Sequence, residues 1–218
     1  MDKNNILIRS ISGGCIGVIF IIAIFLFRPL FYVLFYIIAA LMLLEWHKMT
    51  QASKLCSYLG LVLIPFPIAA LFIISSLDKT GWLLFTFFCI IWSVDTMAMF
   101  GGKMIGGPKL APKTSPNKTI SGLVIGVLSA IIAVNILKIV PSYDLPYMLP
   151  TSSVALSIFA LIIAVMAQLS DLLVSHFKRK FDIKDTGNII PGHGGVLDRF
   201  DSIILTAPIV ALYLISHL

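Results

Sequence analysis

Long apolar stretches separated by short polar ones run the length of the chain. The runs cover about 11–27, 30–46, 58–77, 82–101, 120–140, 153–173 and 200–218. Each lasts about 17–21 residues, enough for a helix to cross a hydrocarbon layer roughly 30 Å thick. The runs are continuous, not alternating, which excludes the strands of a membrane barrel. Pro65 and Pro67 are expected to kink the third span and Pro208 the last, because proline lacks an amide donor and its ring crowds the preceding turn. The pattern predicts an all-α, polytopic integral membrane protein of seven transmembrane helices, forming one membrane-embedded domain over 1–218.

Composition removes the alternatives. Of 218 residues, 59% are hydrophobic and 12% charged, against roughly 25% charged in soluble domains. A mean hydropathy of +1.02 excludes a water-soluble enzyme, and a disordered chain would be polar. Cys15, Cys56 and Cys89 lie in or beside apolar runs without paired spacing, so they read as packing residues, not metal ligands or disulfides. Lys3 and Arg9 precede an apolar run, as in a signal peptide. No small-residue cleavage site follows, and Arg28-Pro29 leads directly into the next run, so a retained first helix is expected.

The net charge of +6 would, without positions, suggest nucleic acid or an anionic surface. Position changes that. Thirteen of the 16 basic residues fall on one set of loops: Lys3, Arg9, Lys48, Lys54, Lys103, Lys109, Lys113, Lys118, Lys178, Arg179, Lys180, Lys184 and Arg199. Only Arg28, Lys79 and Lys138 fall on the other. Basic loops stay in the cytosol, so the N-terminus is expected inside and the C-terminus outside.

Two cytosolic loops hold most of the polar residues. In the second, a helix continued past Leu173 puts Asp171, Ser175 and Lys178 on one face. Asp198, Asp201 and Ser202 open the next span, where a helix N-terminus favours carboxylates. Carboxylates gathered at a bilayer edge repel one another unless a cation lies between them. Mg²⁺ suits such a site, since it takes few carboxylates plus substrate phosphates. Lys178, Arg179 and Arg199 are suited to anions, and Gly187, Gly192, Gly194 and Gly195 let backbone amides converge on one. The first loop spaces Lys103, Lys109, Lys113 and Lys118 with glycine and proline, which suits a polyanion.

Simpler readings exist for single residues. The loop lysines also set topology, Asp198 and Asp201 could cap helices, and His193 alone is an ordinary loop histidine. Glu45, the only glutamate, reads as an interfacial anchor beside Trp46. Asp95 and Asp171 fit such readings less well, because ionisable groups at span ends are costly and tend to be functional.

Taken together, the residues resemble a family. Ser175-His-Phe-Lys178-Arg179, then Lys184-Asp185-Thr-Gly187, Pro191-Gly-His193-Gly-Gly195 and Asp198-Arg199-Phe-Asp201 look like the signature of the phosphatidate cytidylyltransferases (CDP-diacylglycerol synthases). Asp95-Thr, Gly102-Lys103, Gly106, Lys109-Leu-Ala-Pro112, Ser115-Pro116, Lys118-Thr119, Gly122, Gln168-Leu-Ser-Asp171 and Glu45-Trp46 are similar to the family too. The close resemblance covers about a third of the chain. It departs at Ser121, where the family is usually acidic, at Met97 and Met99, where a small residue and an aromatic are common, and at Ser170, commonly glycine. The chain is also short for the family.

The resemblance implies transfer of CMP from CTP to phosphatidate, giving CDP-diacylglycerol and pyrophosphate, with Mg²⁺. The residues do not decide between one cation and two. It assigns catalytic roles to Asp171, Ser175, Lys178, Arg179, Asp198, Arg199 and Asp201. It assigns substrate binding to Lys103, Lys109, Lys113, Ser115, Lys118, Lys184, Asp185, His193, Gly194 and Gly195, and metal binding to Asp171, Asp198 and Asp201. It suggests a homodimer; the retained first helix fits a bacterial inner membrane, and the placement of the basic residues points to a cytosol-facing site with no nucleic-acid partner. The rival enzyme is another lipid-head-group enzyme. A CDP-alcohol phosphatidyltransferase would need an Asp-Gly…Ala-Arg run that is absent. A CTP-dependent polyprenol kinase is opposed by the full signature. A small transporter would place charges at both ends of its spans. An inactive paralogue would have lost some of the loop charges.

Overall fold

A computed structural model describes residues 17–189 and 194–218. The bundle is helical: α1 (Gly17–Leu26), α2 (Arg28–Thr50), α3 (Lys54–Leu63), α4 (Pro65–Leu77), α5 (Trp82–Ile105), α6 (Ile120–Ile139), α7 (Ser153–Lys180), α8 (Leu197–Phe200) and α9 (Ile203–Ile215). Two short strands, β1 (Lys109–Ala111) and β2 (Ser115–Thr119), pair antiparallel between α5 and α6. The sequence pattern did not predict that hairpin.

Among the described residues five helical segments are long and apolar enough to cross a membrane, with α3 and α4 counted as one. The two end segments, Gly17–Leu26 and Ile203–Ile215, are shorter. Pro65 breaks the third segment at Ile64, as expected from its missing amide. Several helices outrun their apolar runs. At about 1.5 Å per residue, α7 with its 28 residues is roughly 42 Å long, so its last two turns, from Val174 to Lys180, extend past the apolar stretch. At the other end, α9 has 13 residues and starts late, because Asp201 and Ser202 form the turn joining it to α8.

Capping fixes the helix starts. Thr119 Oγ1 accepts from Gly122 N (3.1 Å) at the head of α6, Ser152 Oγ from Ala155 N (3.1 Å) before α7, and Asp78 Oδ2 from Leu83 N (2.8 Å) before α5. Each satisfies an amide the helix leaves unpaired. α5 and α6 form the most extensive helix pair, and small residues at i, i+4 and i+8 make this possible. Gly122, Gly126 and Ala130 form a buried stripe on α6. A Cβ on Gly122 would lie 2.6 Å from the Ala98 carbonyl oxygen, so the backbones touch, as small residues permit in membrane helix pairs.

The main core gathers Phe31, Phe35, Leu71, Phe88, Leu156 and Ala207 at the bundle centre. A second, smaller core joins Met42, Trp46, Val174, Val196, Leu197 and Ile204. This one underlies the loop between α7 and α8. Trp46 packs on Phe177 (ring centroids 4.9 Å) and donates from Nε1 to the Cys56 carbonyl oxygen (2.8 Å). Cys56 and Cys89 are free thiols; Cys15 lies outside the described residues.

Candidate active site

Both polar loops converge on one cavity of about 720 Å³ at the end of the bundle where α5 and α7 terminate. Its walls come from five places, one of them Gly122 and Leu123 on α6. One face of α5 supplies Asp95, Ala98, Met99, Gly102 and Lys103, spaced at i, i+3, i+4, i+7 and i+8. The hairpin supplies Lys109, Asn117, Lys118 and Thr119, and the end of α7 supplies Gln168 and Asp171. Asp198, Arg199 and Asp201 come from α8 and the turn after it.

A hydrogen-bond chain crosses the floor. Lys118 Nζ lies 2.6 Å from Asp171 Oδ2 and donates to Gln168 Oε1 (2.9 Å). Gln168 Nε2 donates to Asp95 Oδ1 (3.1 Å), and Ser202 Oγ donates to Asp95 Oδ2 (3.4 Å). Ser175 Oγ donates to Asp171 Oδ1 (3.1 Å), so the i, i+4 face expected on α7 is present and Ser175 orients the acid. Lys178 meets Asp198 Oδ1 at 2.7 Å in a largely buried ion pair.

Asp201 differs from its neighbours. It is 7% exposed, lies within electrostatic reach of Asp171, Lys178, Asp95 and Lys118, and no hydrogen-bond donor reaches its carboxylate among the described residues. Its position is fixed through the backbone: Ser170 Oγ donates to its carbonyl oxygen (2.5 Å) and accepts from Leu205 N (3.1 Å). A hydroxyl at a position that is commonly glycine in the family thus sets the α8–α9 turn.

Among the described residues, no three acidic, histidine or cysteine side chains close on one point as a protein-only metal cage would. Mg²⁺ needs less, taking one or two carboxylates with water and substrate phosphates. A buried carboxylate without a donor, beside a second one, fits that donor set. Asp171 and Asp201 would hold the ion, with Asp95 facing them. The expected ligand Asp198 fits less well. A carboxylate offers about four acceptor sites, and Asp198 spends three on Lys178 Nζ, Thr186 N (2.8 Å) and Gly195 N (3.2 Å).

The expected residues therefore divide. Asp171, Asp198, Asp201, Arg199, Lys103, Lys109 and Lys118 line the cavity. Ser175 and Lys178 stand behind it, acting through carboxylates. Arg179 points away from the lining: its Nε donates to the Thr114 carbonyl oxygen (3.1 Å) and its Nη1 to that of Ile183 (3.2 Å). It straps the hairpin turn to the second loop. Lys113, Lys184 and Asp185 are exposed, and Ser115 half-buried; none of the four lines the cavity. Gly194 and Gly195 flank Asp198 at the loop neck. His193 lies outside the described residues.

Glu45 was read as an interfacial anchor, and the structure corrects this. It is 2% exposed and accepts from Thr186 Oγ1 (2.9 Å), Val196 N (2.9 Å) and Leu197 N (2.8 Å). The sequence signal was its solitude: one glutamate at the end of an apolar helix needs partners. Gln168 was missed as the bridge between Lys118 and Asp95. Ser121, where an acid is usual, donates to the Gly106 carbonyl oxygen and closes the entry to the hairpin.

Helices long and apolar enough to span a bilayer, with a cavity lined by acidic and basic side chains at their end, define an integral membrane protein with a polar site. The sequence comparisons make this specific. The profile of the cytidylyltransferase family matches residues 51–217, and the chain belongs to that family. It is 51% identical over 209 residues to a phosphatidate cytidylyltransferase of Rickettsia bellii, covering 96% of this chain and 90% of that protein. It is 51% identical over 217 residues to the protein of that name from Rickettsia felis, covering 100% and 95%. The Bacillus subtilis protein of the same name is 42% identical over 136 residues, 62% of this chain and 48% of that one.

Proposed function

We propose that the chain transfers CMP from CTP to phosphatidate, forming CDP-diacylglycerol and pyrophosphate for phospholipid synthesis. The observation that carries this reading is the shared cavity. Lys103, Lys109, Lys118 and Arg199 line it together with Asp95, Asp171 and Asp201, and it opens where apolar helices end. A lipid phosphate and a soluble triphosphate can meet only at such a boundary.

An ionised phosphate oxygen of phosphatidate attacks the α-phosphorus of CTP. The new P–O bond forms as the α–β bridging P–O bond breaks, and the electron pair leaves with pyrophosphate. The nucleophile already carries its charge, so no serine or cysteine base pair is required. The work of the site is alignment and charge neutralisation. The lysines and Arg199 receive the triphosphate, with the planar guanidinium suited to two parallel hydrogen bonds. Gln168 and Ser175 keep Asp95 and Asp171 turned toward the cavity. Bound Mg²⁺ would supply charge neutralisation between the two phosphates, held by Asp171 and Asp201.

The same reading puts both basic loops in the cytosol of a bacterial inner-membrane protein, N-terminus inside and C-terminus outside. Cysteine labelling from outside intact cells at Lys113 and Lys184 positions should fail, and labelling at both would overturn this orientation. The implied homodimer is read by cross-linking in native membrane. The function is tested with purified protein, labelled CTP and phosphatidate, with and without Mg²⁺. Labelled CDP-diacylglycerol supports it. Phosphorylated lipid with released CDP would instead indicate a kinase.

A further inference from the structure

The loop between α7 and α8 enters and leaves through a neck, and two carboxylates close it. From the α8 side, Asp198 Oδ2 accepts from the amides of Thr186 and Gly195. From below, Glu45 Oε2 accepts from Thr186 Oγ1 and Leu197 N while Oε1 accepts from Val196 N. Both acids thus tie the 186 side of the loop to the 195–197 side. Glu45 arrives from α2, 141 to 152 positions away in sequence.

The glycines at the neck make room for this acid. A Cβ at Gly187 would lie 2.5 Å from Glu45 Oε1, and one at Gly195 would lie 2.7 Å from Oε2. Neither has a positive φ, so space and not backbone freedom requires glycine there. Below the neck, Trp46 and Met42 on α2 pack with Val196 and Leu197 in the small core. The carboxylate is therefore held on a rigid floor and faces three donors.

The geometry points to Glu45 as a positioning residue for the reaction, a role that rests on the function proposed above. It touches neither the cavity nor a reacting atom. It fixes Val196 and Leu197, and through them the short helix that presents Asp198 and Arg199 to the cavity and leads into Asp201. Ionised glutamate only accepts, and all three groups facing it donate. A glutamine would turn an NH₂ toward an N–H or O–H donor at one of the two oxygen positions. The neck would then loosen, and the placement of Asp198 and Arg199 with it, although no cavity side chain has been changed.

The test compares wild type, Glu45→Gln and Gly187→Ala, each purified in lipid nanodiscs. The glutamine variant removes the charge. The alanine variant keeps Glu45 and pushes a methyl group into it, so the two reach the same neck by different routes. Both should lose kcat by about 10- to 100-fold, the scale of a misplaced catalytic group, with KM for CTP changed much less. Hydrogen exchange should rise in 184–197 while α4, α5 and α6 keep wild-type protection. Thr186→Ser keeps the hydroxyl donor and should stay within about threefold of wild type, since one conserved hydrogen bond is all that is at stake. Wild-type kcat in Glu45→Gln overturns the inference. So does a rise in exchange spread over all helices, which would make Glu45 a general stability residue. An inactive wild type with normal loop protection would instead reject the proposed function and leave the neck standing.

Discussion

The two loops that build the cavity are held in opposite ways. The second is gripped from within by buried acids: Glu45 below the neck and Asp198 across it, with Lys178 paired to Asp198. The first is an exposed hairpin, fixed to the rest by Lys118 on Asp171 and Gln168 and by Arg179 on the Thr114 carbonyl. One loop is a frame and the other a cationic cover. Acids set geometry here, and lysines of the first loop line the cavity.

That contrast can be broken by substitution, starting where charge and geometry coincide. Asp171→Asn and Asp201→Asn should each lower kcat/KM on the order of 100-fold with normal membrane levels, since developing phosphate charge loses its counter-charge. A near-wild-type rate with an unchanged Mg²⁺ requirement in both would leave these acids as structure. Next comes the buried pair. Lys178→Met strands the Asp198 carboxylate and should cost about 3 kcal/mol of stability, as breaking a buried pair does. Adding Asp198→Leu removes the stranded charge but leaves the amides of Thr186 and Gly195 without their acceptor, so it should restore little of the melting temperature and none of the activity. Recovery of both would make the pair dispensable. Gly122→Val should cost about 2 kcal/mol through overpacking against Ala98, read as a lowered melting temperature. At the small end, Lys113→Ala should change kcat/KM by less than about twofold, as exposed charges outside a site do. A tenfold loss there would bring the hairpin tip into the substrate contact.

Much of this was legible because apolar runs are long and membrane helices are long. The α7 face of Asp171, Ser175 and Lys178 follows from helical spacing alone once the helix is carried past Leu173. The hairpin was hidden because strands of three and five residues full of lysine, proline and serine carry no alternation to read. The roles of Arg179 and Asp198 were hidden for another reason. Charge type suggests a partner class, but only the fold shows that a carbonyl or an amide has taken it first. Glu45 was the hardest, since its partners lie on the far side of the sequence and two of the three are backbone amides without a sequence signature.

The ion pair between Lys118 and Asp171 has a consequence for how the protein is made. Unpaired charge near a bilayer resists insertion, and ionisable groups there are tolerated when they find one another. Lys118 and Lys178 each bring a positive charge to an acid of this one corner, from the first loop and from α7. The newly synthesised chain therefore carries its own temporary counter-ions. On the proposed function, the cavity can close before any nucleotide has arrived, and a triphosphate entering it would compete with Asp171 for Lys118.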